Sequence, residues 1–219
     1  MELVFRRLVS TDLSAIQDLS DSMDISNDPK IGNITGSLLQ DSMCTLFGAF
    51  KDDVLVGVGG LRDKGRNLAW IESIRVNGEY QRTGVGTGLF RHGEELAREL
   101  GYLRAGFQTV TENAGSCRIG EELAFERKHE MTAFYARPEN LPQSSAEHCR
   151  QAAASAEEAL LALKRIPNGP RNEICIGWSY VPISADFFDS EPDMKFYVQD
   201  ETVMLSTMTE TLEQKRLRV

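Results

Sequence analysis

The chain has 219 residues, 41% hydrophobic and 26% charged, with a formal net charge of −9. This is the composition of a globular protein, and its acidic balance argues against general nucleic-acid binding, which needs a basic footprint. No apolar run reaches the ~18 residues of a membrane helix, and "MELVFRRLVS" lacks the basic segment and long apolar stretch of a secretory signal. The four cysteines (Cys44, Cys117, Cys149, Cys175) have no CxxC spacing, and the histidines (His92, His129, His148) form no ligand pattern. No metal site is expected. Scattered cysteines without a signal fit buried thiols in a reducing compartment, so the expected location is cytoplasmic.

"LVFRRLV" at 3–9 reads as a first strand. "STDLSAIQDLSDSM" has a cap-like Ser10/Thr11 followed by Leu13, Ile16 and Leu19, the spacing of a short amphipathic helix. Residues 24–36, with Asn, Asp, Pro and Gly, read as a loop, and "TGSLLQDSM" as a further helical turn or two. "CTLFGAF" and "VLVGVGGLR" flank a polar "KDD" and form a hairpin. "LAWIESIRV" at 68–76 is the next strand. Residues 86–100 are helical, with Gly101 at the C-cap position. "LRAGFQTV" at 103–110 reads as strand, "ENAGSCRIGEEL" as helix and "FERKHEMTAFYA" as strand. The order over 1–136 is β-α-α-β-β-β-α-β-α-β, a mixed α/β layer fold.

Composition shifts at "RPENLPQSS", which places a boundary at 137/138. Beyond it, "SSAEHCRQAAASAEEALLALKRI" predicts an alanine-rich helix with a cap-like serine. "EICIGWSYVPI" reads as a strand, "SADFFDS" as a helical turn and "KFYVQDETVMLSTM" as a hairpin. "AFKDDVLVG" and "YVQDETVMLS" resemble each other weakly. Residues 138–219 are therefore either a partial second copy of the first half or an unrelated extension.

The stretch that points to chemistry is "QRTGVGTGLF", with Gly84, Gly86 and Gly88 before a helix. A glycine loop between strand and helix suits an anion, because free amides and the helix dipole converge there. A phosphate-binding P-loop requires a Lys-Ser or Lys-Thr pair, which is absent. A dinucleotide fingerprint requires a third glycine where Leu89 stands. The wider run "WIESIRVNGEYQRTGVGTGLF" resembles the coenzyme A signature of the GCN5-related N-acetyltransferases, Q/R-x-x-G-x-G/A, with Gln81, Gly84 and Gly86 in the signature positions. The resemblance extends over about residues 3–136. It implies a mostly antiparallel central sheet flanked by helices, followed here by a C-terminal α/β extension.

The resemblance also implies acetyl-CoA as co-substrate, with no metal, and an amine acceptor. The pantetheine arm would pair with backbone groups of Ile74 and Val76. The pyrophosphate would meet the amides of Arg82, Thr83, Gly84, Val85, Gly86 and Thr87. Asn113 and Ser116 resemble the family's next cofactor-contacting motif, and "LAF" at 123–125 stands where "LGF" is common. The order helix, "GWSYVP" strand, hairpin in 138–219 resembles histidine N-acetyltransferase-like proteins, which implies a free amino acid as acceptor. Protein N-termini and polyamines are the other acceptor classes.

Glu72 is the candidate general base. Strand alternation puts it on one face with Trp70, Ile74 and Val76, and an apolar face raises a carboxylate's pKa. The alternative role is a structural carboxylate that holds a neighbouring loop. Many family members carry a Tyr seven residues after the Asn as acid for the thiolate; here that position is Gly120. This departure leaves a second class of function open, an acyl-CoA-binding module with weak catalysis.

Overall fold

The computed structural model describes residues 2–23, 31–128, 130, 154–166, 172–176, 179–190, 194–199, 202–211 and 214–218. The chain divides into two compact units, Met1–Glu126 and Arg127–Val219. The boundary expected at 137/138 lies outside the described residues.

The first unit runs β1 (Val4–Arg7), a 3-10 turn (Ser10–Asp12), α1 (Leu13–Ser22), α2 (Ile31–Gln40), β2 (Cys44–Lys51), β3 (Val54–Asp63) and β4 (Leu68–Val76). It continues with α3 (Val85–Glu99), β5 (Arg104–Gly106) and α4 (Ala114–Glu122). The sheet order is β1-β2-β3-β4-β5. The pairs β1–β2, β2–β3 and β3–β4 are antiparallel, and β5 pairs parallel to β4. This is the mixed, mostly antiparallel sheet with flanking helices that the family resemblance implies.

Both sheet faces are covered, which is why β2 and β3 are nearly continuous apolar runs. On one face α3 buries Val85, Leu89, Phe90, Leu96 and Ala97 against Phe47, Val56, Leu61 and Ile71. On the other, Ile16 and Leu19 of α1 pack with Leu46, Phe50, Leu55 and Val58. The start of α1 is tied down by Asp12, which accepts hydrogen bonds from both terminal nitrogens of Arg6 at 2.8 Å and from the Val9 amide at 2.9 Å. The guanidinium, opposing burial, holds the Asp12 carboxyl below the usual range.

Three differences from the sequence expectations matter. α2 begins at Ile31, inside the stretch read as loop. β5 is only three residues long; Phe107 then turns inward to stack edge-on against Phe90 and Phe125, at 4.8 and 5.1 Å between centroids. Residues 125–128 adopt no strand, and the rest of that expected strand lies outside the described residues except for 130.

The second unit contains α5 (Ala156–Arg165), β6 (Glu173–Ile176), β7 (Ser179–Pro182), α6 (Ala185–Ser190), β8 (Lys195–Gln199), β9 (Thr202–Thr211) and β10 (Gln214–Arg218). Residues 144–153 of the expected alanine-rich helix lie outside the described residues, and α5 begins at Ala156. Its cap is Ser155, in a reciprocal capping box with Glu158, while Ala154 is extended and bridges to Phe196. "EICIGWSYVPI" is not one strand but the antiparallel pair β6–β7. The predicted hairpin is β8–β9, extended by β10. Ala159, Leu163, Phe188 and Phe196 form this unit's own core.

The first unit's sheet has an irregularity that sets up the site. Val58 pairs with Arg75 and Gly60 with Glu72, so β4 carries one residue more than β3 between these pairs. Ser73 lies in this bulge with φ of +58°. Opposite it, Gly59 leaves room for Ile74: a Cβ at 59 would lie 2.6 Å from both the Ile74 Cδ1 and the Phe47 ring. Phe47 is fully buried and cannot withdraw cheaply. Gly59→Ala should therefore lower stability by roughly 1–3 kcal/mol, the usual cost of overpacking, read from denaturant unfolding. An unchanged midpoint would show that the bulge does not depend on this glycine.

Candidate active site

β4 and β5 are paired only at Leu68–Arg104, Ala69–Ala105 and Trp70–Gly106. β4 then continues for six more residues, to Val76. Its outer edge there has no neighbouring strand among the described residues, so the sheet parts between its two parallel strands. The Trp70 ring lies over Gly106 at the point of parting; a Cβ on Gly106 would sit 2.7 Å from it. Ile74 and Val76, the pair expected to receive an extended ligand, lie on this open stretch. The Ile74 carbonyl accepts a hydrogen bond from Arg75 Nη1 at 2.9 Å, and the Val76 carbonyl a long one from Gln81 Nε2 at 3.4 Å. Each carbonyl has a second lone pair.

A 3-10 turn, Gly78–Tyr80, joins β4 to the glycine loop. Asn77 stabilises it by accepting from the Glu79 amide, and its amide nitrogen reaches Ser22 at the end of α1. Glu79 is exposed, as its place in the spacer suggests. Thr83 donates its hydroxyl to the Tyr80 carbonyl at 2.7 Å, so it shapes the loop through its side chain. Arg82 has φ of +62° and Gly84, the N-cap of α3, φ of +95°. The left-handed Gly84 followed by helical Val85 makes the backbone concave, with successive amides on one side. The Gly88 amide bonds to the Gly84 carbonyl, and no side chain caps the helix. The amides of Val85, Gly86 and Thr87 are thus free at the positive end of a 15-residue helix. Gly88 serves packing instead. A Cβ there would collide with the Phe5 ring, so this glycine seats α3 on β1.

The bulge corrects one expectation about Glu72. Beyond Ser73 the alternation is reset. Ile71, Ile74 and Val76 all join the α3 core, whereas Glu72 pairs with Gly60, whose open side faces Leu46 and Cys44 on the α1–α2 side. Glu72 therefore does not share a face with Ile74 and Val76. Nor is its face wholly apolar. Glu72 Oε1 accepts from Arg62 Nε at 2.7 Å, and Arg62 Nη1 donates to Asp41 Oδ2 at 2.6 Å. All three side chains are partly buried. Burial alone would raise the Asp41 pKa, but hydrogen bonds from Arg62 and the Met43 amide, with the Arg62 and Lys64 charges, hold it below the ordinary value. The two carboxylates raise the Arg62 pKa against its burial. Burial pushes the neighbouring Cys44 thiol up to about 11, so it is neutral at physiological pH.

Asn113 is the N-cap of α4, with Oδ1 accepting from the Ser116 amide at 3.1 Å. Both residues thus sit at a helix start, Asn113 before the helix rather than on it. Gly120, where a Tyr is common, is buried, and a Cβ there would lie 2.9 Å from the Phe107 ring. The aromatic volume at this place comes from β5's continuation instead. His92 is not part of the site: its ring is flanked by Phe5 and Phe47, and burial lowers its pKa. His129, His148, Cys149 and Tyr135 lie outside the described residues. Sequence reasoning missed Arg62 and Asp41. One signal lay in "LVGVGGLR": three glycines in one strand mark close contacts rather than an ordinary hairpin arm.

An open strand edge beside uncapped helical amides offers free backbone groups to an extended chain and a helix N-terminus to an anion. The acetyltransferase (GNAT) family model matches residues 14–125, and the chain belongs to that family. It is an acetyl-CoA-dependent N-acetyltransferase, with an amine as acceptor. Among curated proteins no sequence matches it. Among solved structures it is similar to AAC(6')-Iy in complex with a bisubstrate analogue (19% identity, 63% of this chain and 99% of that one, TM-score 0.53). The same aminoglycoside N-acetyltransferase with CoA gives 20% identity, 63% and 95% coverage and TM-score 0.51. The ribosomal-protein-S18-alanine N-acetyltransferase from Escherichia coli gives 19%, 63% and 86%, and 0.53. At these identities the likeness is one of fold. No helix among the described residues is long and apolar enough to cross a membrane.

Proposed function

We propose that the chain acetylates the α-amine of a free amino acid such as histidine, by direct transfer within a ternary complex, with Glu72 accepting the amine's proton. The observation that carries this reading is the position of Glu72, at the bulge where β4 leaves β5, with its side chain on the α1–α2 side and Asp41 nearby. Acetyl-CoA supplies the activated acetyl group. The residues that would hold it are Ile74 and Val76 along the pantetheine arm, Gln81, Arg82, Thr83, Gly84, Val85, Gly86 and Thr87 around the pyrophosphate, and Asn113 and Ser116 at the start of α4.

The chain's own residues then have separable roles. The free amides of α3 bind and orient. The carboxylate of Glu72 takes a proton from the attacking amine, since only the neutral amine is a nucleophile. Residues 1–137 carry this chemistry and 138–219 form the extension; its order of helix, strand pair, short helix and hairpin supports the amino-acid reading. A cytoplasmic setting accords with the free thiols Cys44, Cys117 and Cys175.

The test is thiol release from acetyl-CoA with separate pools of free amino acids, short peptides and polyamines. Free amino acids, histidine among them, should give the highest kcat/KM. Preference for peptides or polyamines would overturn the acceptor assignment and leave the reaction class untouched.

A further inference from the structure

Arg62 stands in β3 opposite Trp70, one strand away from the open edge of β4. Its Nε donates to Glu72 Oε1 and its Nη1 to Asp41 Oδ2. Asp41 in turn accepts the Met43 amide at 2.9 Å through Oδ1, so it is fixed to the turn that follows α2. Glu72 is held through one oxygen, and its Oε2 has no hydrogen bond among the described residues. We propose that Arg62 is a positioning residue for acetyl transfer: it fixes the Glu72 carboxylate through Oε1, leaves Oε2 as the proton-accepting oxygen, and couples it to Asp41 beside α2. This rests on the reading of Glu72 as the base.

The geometry separates this role from that of a simple loop clamp. A clamp between β3 and the turn after α2 needs only the contact to Asp41. The second, to Glu72, places a cation on the group that must stay ionised to accept a proton. A guanidinium at hydrogen-bond distance favours a carboxylate's ionised form, and a second carboxylate disfavours it. The other titratable groups around the cluster are few. Lys64 acts on Asp41 and on the Cys44 thiol. Arg75 pairs with Val58, on the same face of β4. α2 carries no titratable side chain, and Asp18 and Asp21 of α1 are exposed. Among the described residues Arg62 is the group that hydrogen-bonds the Glu72 carboxylate, and Asp41 shares its guanidinium.

The experiment is kcat and KM for Arg62→Gln, Arg62→Lys and Asp41→Asn beside the unmodified chain, with coenzyme A affinity and melting temperature measured in parallel. Arg62→Gln should lower kcat by about tenfold while KM for acetyl-CoA stays nearly unchanged, the mark of an interaction that serves the transition state. Arg62→Lys keeps the charge without the planar fork, so it should recover only part of that loss. Asp41→Asn loosens the hold on Arg62 and should lower kcat less than Arg62→Gln. Coenzyme A affinity should be unchanged in all three. An unaltered kcat in Arg62→Gln while thermal stability falls would make Arg62 purely structural. If Arg62→Gln does not fold, an unaltered kcat in both Arg62→Lys and Asp41→Asn overturns the coupling by itself. Full activity in Glu72→Gln would instead remove the base reading, a separate failure from an unaltered kcat in the Arg62 variants of an enzyme that still needs Glu72.

Discussion

Glu72→Gln is expected to lower kcat by roughly 10²–10⁴ at neutral pH, the usual range for loss of a general base. Glutamine keeps the shape and still offers an oxygen to Arg62 Nε, so the 2.7 Å contact and the packing around it survive. What it loses is the capacity to take a proton. The deficit should shrink as pH rises toward the pKa of the acceptor amine, because the amine then arrives neutral. Coenzyme A affinity should barely change, since the loop at 81–87 is on the far side of the bulge. The contrary result is equally specific. A lower melting temperature with unaltered kcat would assign Glu72 to the clamp with Arg62 and Asp41. Positioning would then carry the rate, and solvent would take the proton.

Gly86→Val is expected to raise the Kd for coenzyme A at least about tenfold, on the order of 1.4 kcal/mol, with the fold intact. Of the two signature glycines this is the cleaner probe. Gly84 sits at φ of +95°, so any side chain there strains the loop whether or not a ligand binds. At Gly86 a Cβ would meet Ile119 at 3.5 Å and Val76 at 3.9 Å, ordinary contact distances. The protein thus tolerates the first carbon, and a loss of affinity would report on the ligand side of the loop. Calorimetry showing an unchanged Kd would withdraw the pyrophosphate from the amides of 82–87.

Much of this architecture is local, and local rules made it legible. The apolar period of α3, the glycine loop before it and the hairpin around "KDD" each depend on neighbours a few residues away. The order of elements followed from them, and with it the mixed layer fold; the resemblance to a coenzyme A signature rested on Gln81, Gly84 and Gly86. The sequence alone also marked Glu72 as the only carboxylate between Leu68 and Val76. It did not show which way that carboxylate points. Side-chain direction along a strand follows a period of two only while the pairing is regular. One extra residue in β4, opposite a glycine in β3, turned Glu72 to the α1–α2 side and sent Ile74 and Val76 to the α3 side. Its partners are equally non-local: Arg62 is 10 residues away and Asp41 is 21 from Arg62, and no periodicity joins them. The same holds at Gly120. The Phe107 ring, from β5's continuation, lies against Gly120, where the family often carries tyrosine, and is held there by Phe90 and Phe125. The sequence determined most of the elements and the glycine loop before α3 because backbone hydrogen bonding and helix termini are local. Tertiary structure alone decided the orientation and charge environment of the carboxylate, because these depend on the register between strands that only folding brings together.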